Sequence, residues 1–255
     1  MIIAWDNLAD DAALAASSEL NEQPASYVQD PRVSRKWGTA SAVKSATLLM
    51  DLGSTQTCAL LALLGLNLTT GGTYRLRGSI TDSTGVTGEV YDSGTLAIGL
   101  KVGYGAVYKS FTAAAARYWL LNLDDTSVPD NLEVGRVFLG PKWTPTVAQQ
   151  YGWSVQVDDP SKLSESVGGQ IYADERPQKR VLNFELAFLT EAEMYANAFA
   201  MARANGTVRD VLAISDDTGT YVSEQAVYGL LTANEPLIHE RYNVFRQKYQ
   251  IRERL

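Results

Sequence analysis

The side chains able to carry out acid-base or nucleophilic chemistry are few. The single histidine, His239, stands in the string Pro236-Leu237-Ile238-His239-Glu240. A Ser-His-Asp relay would have to use it, but no Gly-x-Ser-x-Gly elbow accompanies it, so a plain histidine at the entry to a strand is expected. Carboxylates occur side by side at Asp10-Asp11, Asp124-Asp125, Asp158-Asp159 and Asp216-Asp217, which raises a glycosidase dyad or a calcium site. Adjacent residues on a strand point to opposite faces, and three of the pairs adjoin Pro, Gly, Ser or Thr in turns, so solvated turn carboxylates are expected. A calcium ion in the first domain stays open as the one cofactor. No residue is singled out as catalytic, cofactor-binding or metal-ligating, and a protein that is not an enzyme is expected.

Two further motifs are excluded on context. Gly99-Leu100-Lys101-Val102-Gly103-Tyr104-Gly105 lacks the Gly-Lys-Ser/Thr that opens a helix in a phosphate loop, and lacks the strand-glycine-helix order of a dinucleotide site, so it reads as a loop between strands. The lone cysteine, Cys58, lies in Cys58-Ala59-Leu60-Leu61-Ala62-Leu63-Leu64, where a thiol behaves as a small buried hydrophobe. That apolar run is about half the length a membrane-spanning helix needs, so it reads as a buried strand and no membrane insertion is expected.

Exposed aromatics beside polar groups are the more informative class. The loop around residues 27–36 carries Tyr27, Arg32, Arg35 and Lys36, and a second loop presents Tyr104 and Tyr108. Aromatic faces with hydrogen-bond donors on loops of a sandwich can stack on and hold a sugar; the competing reading is tyrosines packed at a sheet edge or subunit contact. Tyr27, Arg32, Arg35, Tyr104 and Tyr108 are therefore the candidate ligand or partner contacts.

The formal charge of −7 speaks against general nucleic-acid binding, which needs clustered cations that displace counterions. The densest basic stretch, 241–252, sets Phe245, Gln247, Tyr249 and Ile251 on one face at period two and its basic residues largely on the other, as in a terminal strand with a solvated face. The start, Met1-Ile2-Ile3-Ala4-Trp5-Asp6, has no basic region ahead of an apolar core, so synthesis and assembly in the cytoplasm are expected.

The elements that must position these groups are mainly strands. With 255 residues, two domains are the natural expectation. Short apolar segments at 46–51, 58–66, 73–79, 117–123 and 132–139, separated by turn chemistry such as Gly71-Gly72 and Asp82-Ser83-Thr84-Gly85, predict a jelly-roll β-sandwich over 1–141. Two prolines in Leu139-Gly140-Pro141-Lys142-Trp143-Thr144-Pro145 predict a stiff connector, and a second β-sandwich carrying one α-helix is expected over 146–255. There, Leu182, Phe184, Leu186 and Phe188 alternate to one face of a strand. It leads into a helix at about 191–205, opened by a Thr190/Glu193 capping box and stopped at Asn205-Gly206. A hairpin is expected to join 208–214 to 226–231 through Asp216-Asp217-Thr218-Gly219.

The first domain resembles the discoidin or galactose-binding-like jelly roll. The resemblance is carried by Asn7-Leu8-Ala9-Asp10 with Ser17-Ser18, Trp37, Leu49-Met50-Asp51-Leu52-Gly53, Leu64-Gly65-Leu66-Asn67-Leu68, Arg117-Tyr118-Trp119-Leu120-Leu121-Asn122-Leu123 and Glu133-Val134-Gly135-Arg136-Val137-Phe138-Leu139-Gly140. It spans about 4–140 and implies that Trp37 and Trp119 pack the core. The cysteine pair that ties the ends of extracellular members is absent. The second domain, through Gly152-Trp153-Ser154-Val155, the strand at 180–188 with its capped helix, and Tyr228-Gly229, resembles the β-sandwich of distal tail and other tail-tip proteins of long-tailed bacteriophages. The domain order is reversed from that of many distal tail proteins. This resemblance implies a structural virion tail (baseplate) protein that forms a homo-oligomeric ring, a hexamer in preference to a trimer, against tail-tube and tail-hub proteins. The alternative is a host-surface glycan-binding protein.

Overall fold

The computed structural model describes residues 1–100 and 105–255, a mainly β chain whose strands fall into two compact units. One unit comprises Met1–Trp5, 143–220 and 225–255; the other comprises Asp6–Lys142 with 221–224. The boundary expected at 141 and 146 is thus corrected at the start of the chain. The first strand, β1 (Ile2–Ala4), runs antiparallel to a strand near residue 212, and residues 1–5 belong with the C-terminal half. The physical reason is a pair of reciprocal backbone hydrogen bonds, Ile3 N–H to the Trp143 carbonyl and Trp143 N–H to the Ile3 carbonyl, each 2.8 Å. The Trp5 ring meets Trp143 edge-on, centroids 6.2 Å apart. The jelly-roll unit is an insertion whose two ends are held side by side, the condition under which one unit can be inserted within another.

The inserted unit contains β2 (Ala13–Ala16), β3 (Trp37–Gly38), β4 (Ser45–Leu64), β5 (Thr73–Ser79), β6 (Tyr91–Asp92), β7 (Leu96–Ala97), β8 (Ala106–Asp124), β9 (Glu133–Val134) and β10 (Arg136–Gly140). Segments expected to be separate strands on either side of residue 55 are one strand, β4, paired along its length with β8. The register of that pair shifts twice, between Asp51 and Gln56 and between Cys58 and Leu60. Gly53 takes a φ of 74° there and residues 53–57 are exposed. Bulges let a long strand pass from one layer of a sandwich to the other. The pair made by β4 up to Asp51 and β8 from Tyr118 lies with β2, β5, β6 and β7; the pair made by β4 from Leu60 and β8 up to Ser110 lies with β10. Trp37, Trp119, Leu48, Met50, Leu61 and Leu121 fill the interior. Cys58 is fully buried, which raises its thiol pKa to about 12, so the residue is packing and not a nucleophile. Residues 58–64 are buried on both strand faces, which is why they read as an unbroken apolar run.

The other unit is built from β1, β11 (Ser154–Asp158), β12 (Lys162–Glu165), β13 (Ile171–Asp174), β14 (Lys179–Leu189), the helix α1 over 191–205, β15 (Asp210–Ile214), β16 (Ala226–Leu231), β17 (Ile238–Arg241) and β18 (Val244–Glu253). The main sheet has the order β1-β15-β16-β18-β14-β11, with β17 on β18. The helix supplies the layer packed on it, through Met194, Ala198 and Met201 against Leu182, Phe184, Val211, Val227 and Ile251. Both halves of the capping box form: Thr190 Oγ1 accepts from Glu193 N at 3.2 Å and Glu193 Oε2 accepts from Thr190 N at 3.1 Å. The middle of the helix, Met194–Phe199, is in the wider π form, and Gly206 at φ 53° ends it.

The alternation of β14 fails at its end. A bulge between Leu186 and Leu189 puts Phe188 at φ 66° and leaves it exposed, while Leu189 takes the inward position. The connection from β15 to β16 is longer than a tight hairpin, although the two strands pair antiparallel. β12 and β13 form a hairpin of their own whose eight residues are all exposed.

Ile3 is fully buried against the Trp143 side of this sheet. Ile3→Ala is expected to cost about 3 kcal/mol and to lower the urea midpoint of the sheet-and-helix unit, followed by Trp143 and Trp153 fluorescence with the other tryptophans replaced by phenylalanine. An unchanged midpoint would show that β1 does not hold that unit together.

Candidate functional site

The loop of residues 25–36 is built onto the jelly roll by groups that leave it little freedom. Gln29 Nε2 donates to the carbonyls of Ala9 and Ala12, both at 2.8 Å. Arg136, buried within β10, donates to the Val28 carbonyl at 3.2 Å and forms an ion pair with Asp10 at 2.6 Å. A Cβ at Gly135 would lie 2.1 Å from the Val33 carbonyl oxygen, so only glycine lets the loop approach β10 so closely. Lys36 pairs with Glu133 at 2.8 Å, and Trp37, buried at the end of the loop, donates its indole N–H to the Ser18 carbonyl.

On this base Tyr27, Arg32 and Arg35 come together around Asp30, a residue that the sequence reading left out. Arg32 grips the Asp30 carboxylate with Nε at 2.9 Å and its terminal nitrogen at 2.6 Å, and its own backbone N–H adds a third bond at 2.9 Å. Arg35 donates to the same carboxylate at 2.9 Å, and its guanidinium lies over the Tyr27 ring, 4.1 Å from the centroid. The Arg32 hydrogen bonds, with that of Arg35, hold the Asp30 carboxyl far below the usual carboxylate range. Because the folded value lies below the unfolded one, the stabilisation is complete above the ordinary aspartate range and is lost progressively as pH falls from that range through the depressed value. Exposed pairs of this kind add little to stability. Their effect is to fix two guanidinium planes, 57% and 41% exposed, and one tyrosine in a standing arrangement. Such a surface offers planar donors and an aromatic face, and a net charge of only one.

Two other candidates stand elsewhere. Tyr108 is not on a loop, as expected, but is half-buried in β8 opposite Ala62; the strand begins earlier than the glycines suggest because it continues the pairing with β4. Tyr104 lies outside the described residues.

The carboxylate pairs do not assemble into chemistry. Asp10 is the partner of Arg136, Asp158 pairs with Arg252, and Asp159 and Asp216 accept backbone N–H groups two residues on. Asp125 is not solvated, as expected for a turn: it is 2% exposed and accepts from the backbone N–H groups of Thr69 and Ser127, so it holds the turn before β5. Among the described residues no group of three or more His, Cys, Asp and Glu side chains is placed to hold a metal ion, and no helix is long and apolar enough to cross a membrane. His239, exposed on β17, stacks on Phe245 with centroids 4.5 Å apart, and no described hydrogen bond joins it to a serine or a carboxylate.

No protein-family model matches the sequence, and no curated protein matches it. Among solved structures, similar ones include chitosan-binding modules and lectin domains. One is chitosan-binding module 1 from a chitosanase/glucanase of Paenibacillus sp. IK-5, 20% identical, covering 53% of this chain and 99% of that one, with a TM-score of 0.43. Another is chitosan-binding module 2 of the same enzyme in complex with chitotriose, 16% identical over 53% of this chain and 100% of that one, TM-score 0.42. A third is the lectin domain of lectinolysin complexed with Lewis B antigen, 17% identical over 52% of this chain and 95% of that one, TM-score 0.40.

Proposed function

We propose that this chain is a non-catalytic carbohydrate-binding protein, in which the jelly-roll unit presents the Tyr27, Arg32 and Arg35 surface to a glycan. The observation that carries this reading is the fixed constellation around Asp30: donors and an aromatic face held in place before any ligand arrives. Preorganised groups of this kind bind hydroxyl-rich ligands without the entropy cost of ordering long side chains on contact. The guanidinium groups offer donors beyond those spent on Asp30, and the rim is polar.

A second reading, a structural component of a long-tailed phage tail tip that forms a ring with tail-tube and tail-hub partners in the virion tail, is favoured by a different observation. The β12–β13 hairpin exposes Leu163, Val167, Ile171 and Tyr172, and Leu163, Ile171 and Ala173 share one of its faces. An isolated two-stranded hairpin is marginal in water, and apolar side chains gathered on it are what a subunit contact would cover. The two readings are compatible if glycan binding serves attachment to a host surface.

Two measurements separate them. On a glycan array that includes chitotriose and Lewis B antigen, the full chain is expected to bind at least one glycan, and Tyr27→Ala and Arg35→Ala are each expected to weaken that binding about ten-fold, or roughly 1.4 kcal/mol. Failure to bind any glycan removes the first reading. Light scattering on the eluting full chain is expected to report a closed oligomer that falls to a monomer when Leu163 and Ile171 are both changed to lysine; a monomeric parent chain removes the ring.

A further inference from the structure

We infer that the sheet of the C-terminal unit carries a second, separate ligand groove, shaped for a neutral hydroxyl-rich chain such as an oligosaccharide. The groove has a volume of about 650 Å³, within the range of small-molecule sites. It lies over the paired strands β14 and β18. Its floor is set by two facing pairs, Asn183 opposite Gln250 and Glu185 opposite Lys248. Tyr151, fully exposed in the turn before β11, stands on one side, and Thr232, just after β16, on the other.

A hydrogen-bonded strip crosses the floor. The Thr232 hydroxyl donates to Gln250 Oε1 at 2.7 Å, Gln250 Nε2 donates to Asn183 Oδ1 at 2.7 Å, and Asn183 Nδ2 donates to Ser154 Oγ at 3.4 Å. Each amide nitrogen has two hydrogens and each amide oxygen two lone pairs. The strip therefore orients both amides while leaving on each a donor and an acceptor, the pairing that vicinal hydroxyls require. Charge argues for a neutral ligand: Glu185 is met by Arg246 at 3.7 Å, and the remaining lining charges, Lys248 and Glu235, are one of each sign. Secondary structure argues against an extended peptide. β14 and β18 are interior strands with their backbone groups committed to one another and to their other neighbours, and an added strand would join the sheet at an edge such as β1 or β11 instead. What the floor offers is side chains alone.

The site is independent of the jelly-roll reading, and the test keeps the two apart. The full chain, with side-chain amides observed by NMR, is titrated with maltohexaose, cellohexaose and N-acetylchitohexaose, and with an uncharged extended decapeptide. The Asn183 and Gln250 amide signals are expected to shift with at least one saccharide. Tyr151→Ala and Gln250→Ala, both at exposed positions, are expected to weaken that titration at least ten-fold with unchanged unfolding midpoints, whereas Tyr27→Ala leaves it intact. Silence of both amides with every saccharide at millimolar concentration overturns the proposal. So does a response to the peptide alone, or saccharide binding that Tyr27→Ala abolishes and Gln250→Ala does not touch.

Discussion

Two backbone hydrogen bonds between Ile3 and Trp143 are the constraint on which the architecture turns. They place the first strand of the chain at the margin of a sheet whose other strands come after residue 150, and so make the jelly roll an insertion and not a preceding domain. Burial of Ile3 in the core beside Trp143, with Trp5 against the Trp143 ring, converts a three-residue strand into a structural clasp. Asn205 at the end of α1 completes it, donating to the Trp5 carbonyl at 2.9 Å and to the Asp210 carbonyl at 2.8 Å.

Within the inserted unit the corresponding device is the bend of β4 and β8. One pair of long strands supplies pairing partners to both layers, so bulges at residues 51–60 do the work that extra strands and turns would otherwise do. The loop bearing Tyr27, Arg32 and Arg35 gains its rigidity from β10, through Arg136 and the approach that Gly135 allows. A buried arginine is costly unless paired, and Arg136 is held by Asp10 and the Val28 carbonyl, so one side chain ties together the start of the unit, its loop and its last strand.

Much of this was legible where local physics decides the outcome. The capping box at Thr190 and Glu193 and the alternation of Phe245, Gln247, Tyr249 and Ile251 follow from short-range patterns, whereas the core positions of Trp37 and Trp119 come from the resemblance to the jelly roll. What was not legible depends on distant partners. Ile2-Ile3-Ala4 is too short to show a period, and its partner strand lies at 210–214. Phe188 continues a period-two pattern that a bulge breaks, and no residue type announces that bulge. Asp125 carries the composition of a turn, but its burial is set by Thr69, on another strand connection. Asp30 escaped notice because a lone aspartate in a loop looks ordinary until two arginines close on it. The amide strip of the second unit draws on Ser154, Asn183, Thr232 and Gln250, residues that only the sheet order makes neighbours.

The insertion also orders events on the ribosome. β1 precedes the jelly roll in the chain and its partner β15 follows it, so β1 must wait for that partner while the whole of 6–142 is synthesised. Domains fold as units during synthesis, and pairings of wide sequence separation form late. The jelly roll therefore reaches its native state before the sheet of β1 and β15 is complete, and its own closure brings its ends at Asp6 and Lys142 together. A jelly roll that folds slowly would leave Ile2 and Ile3 exposed for longer, so the vulnerable element during synthesis would be the short strand ahead of the module, not the module itself.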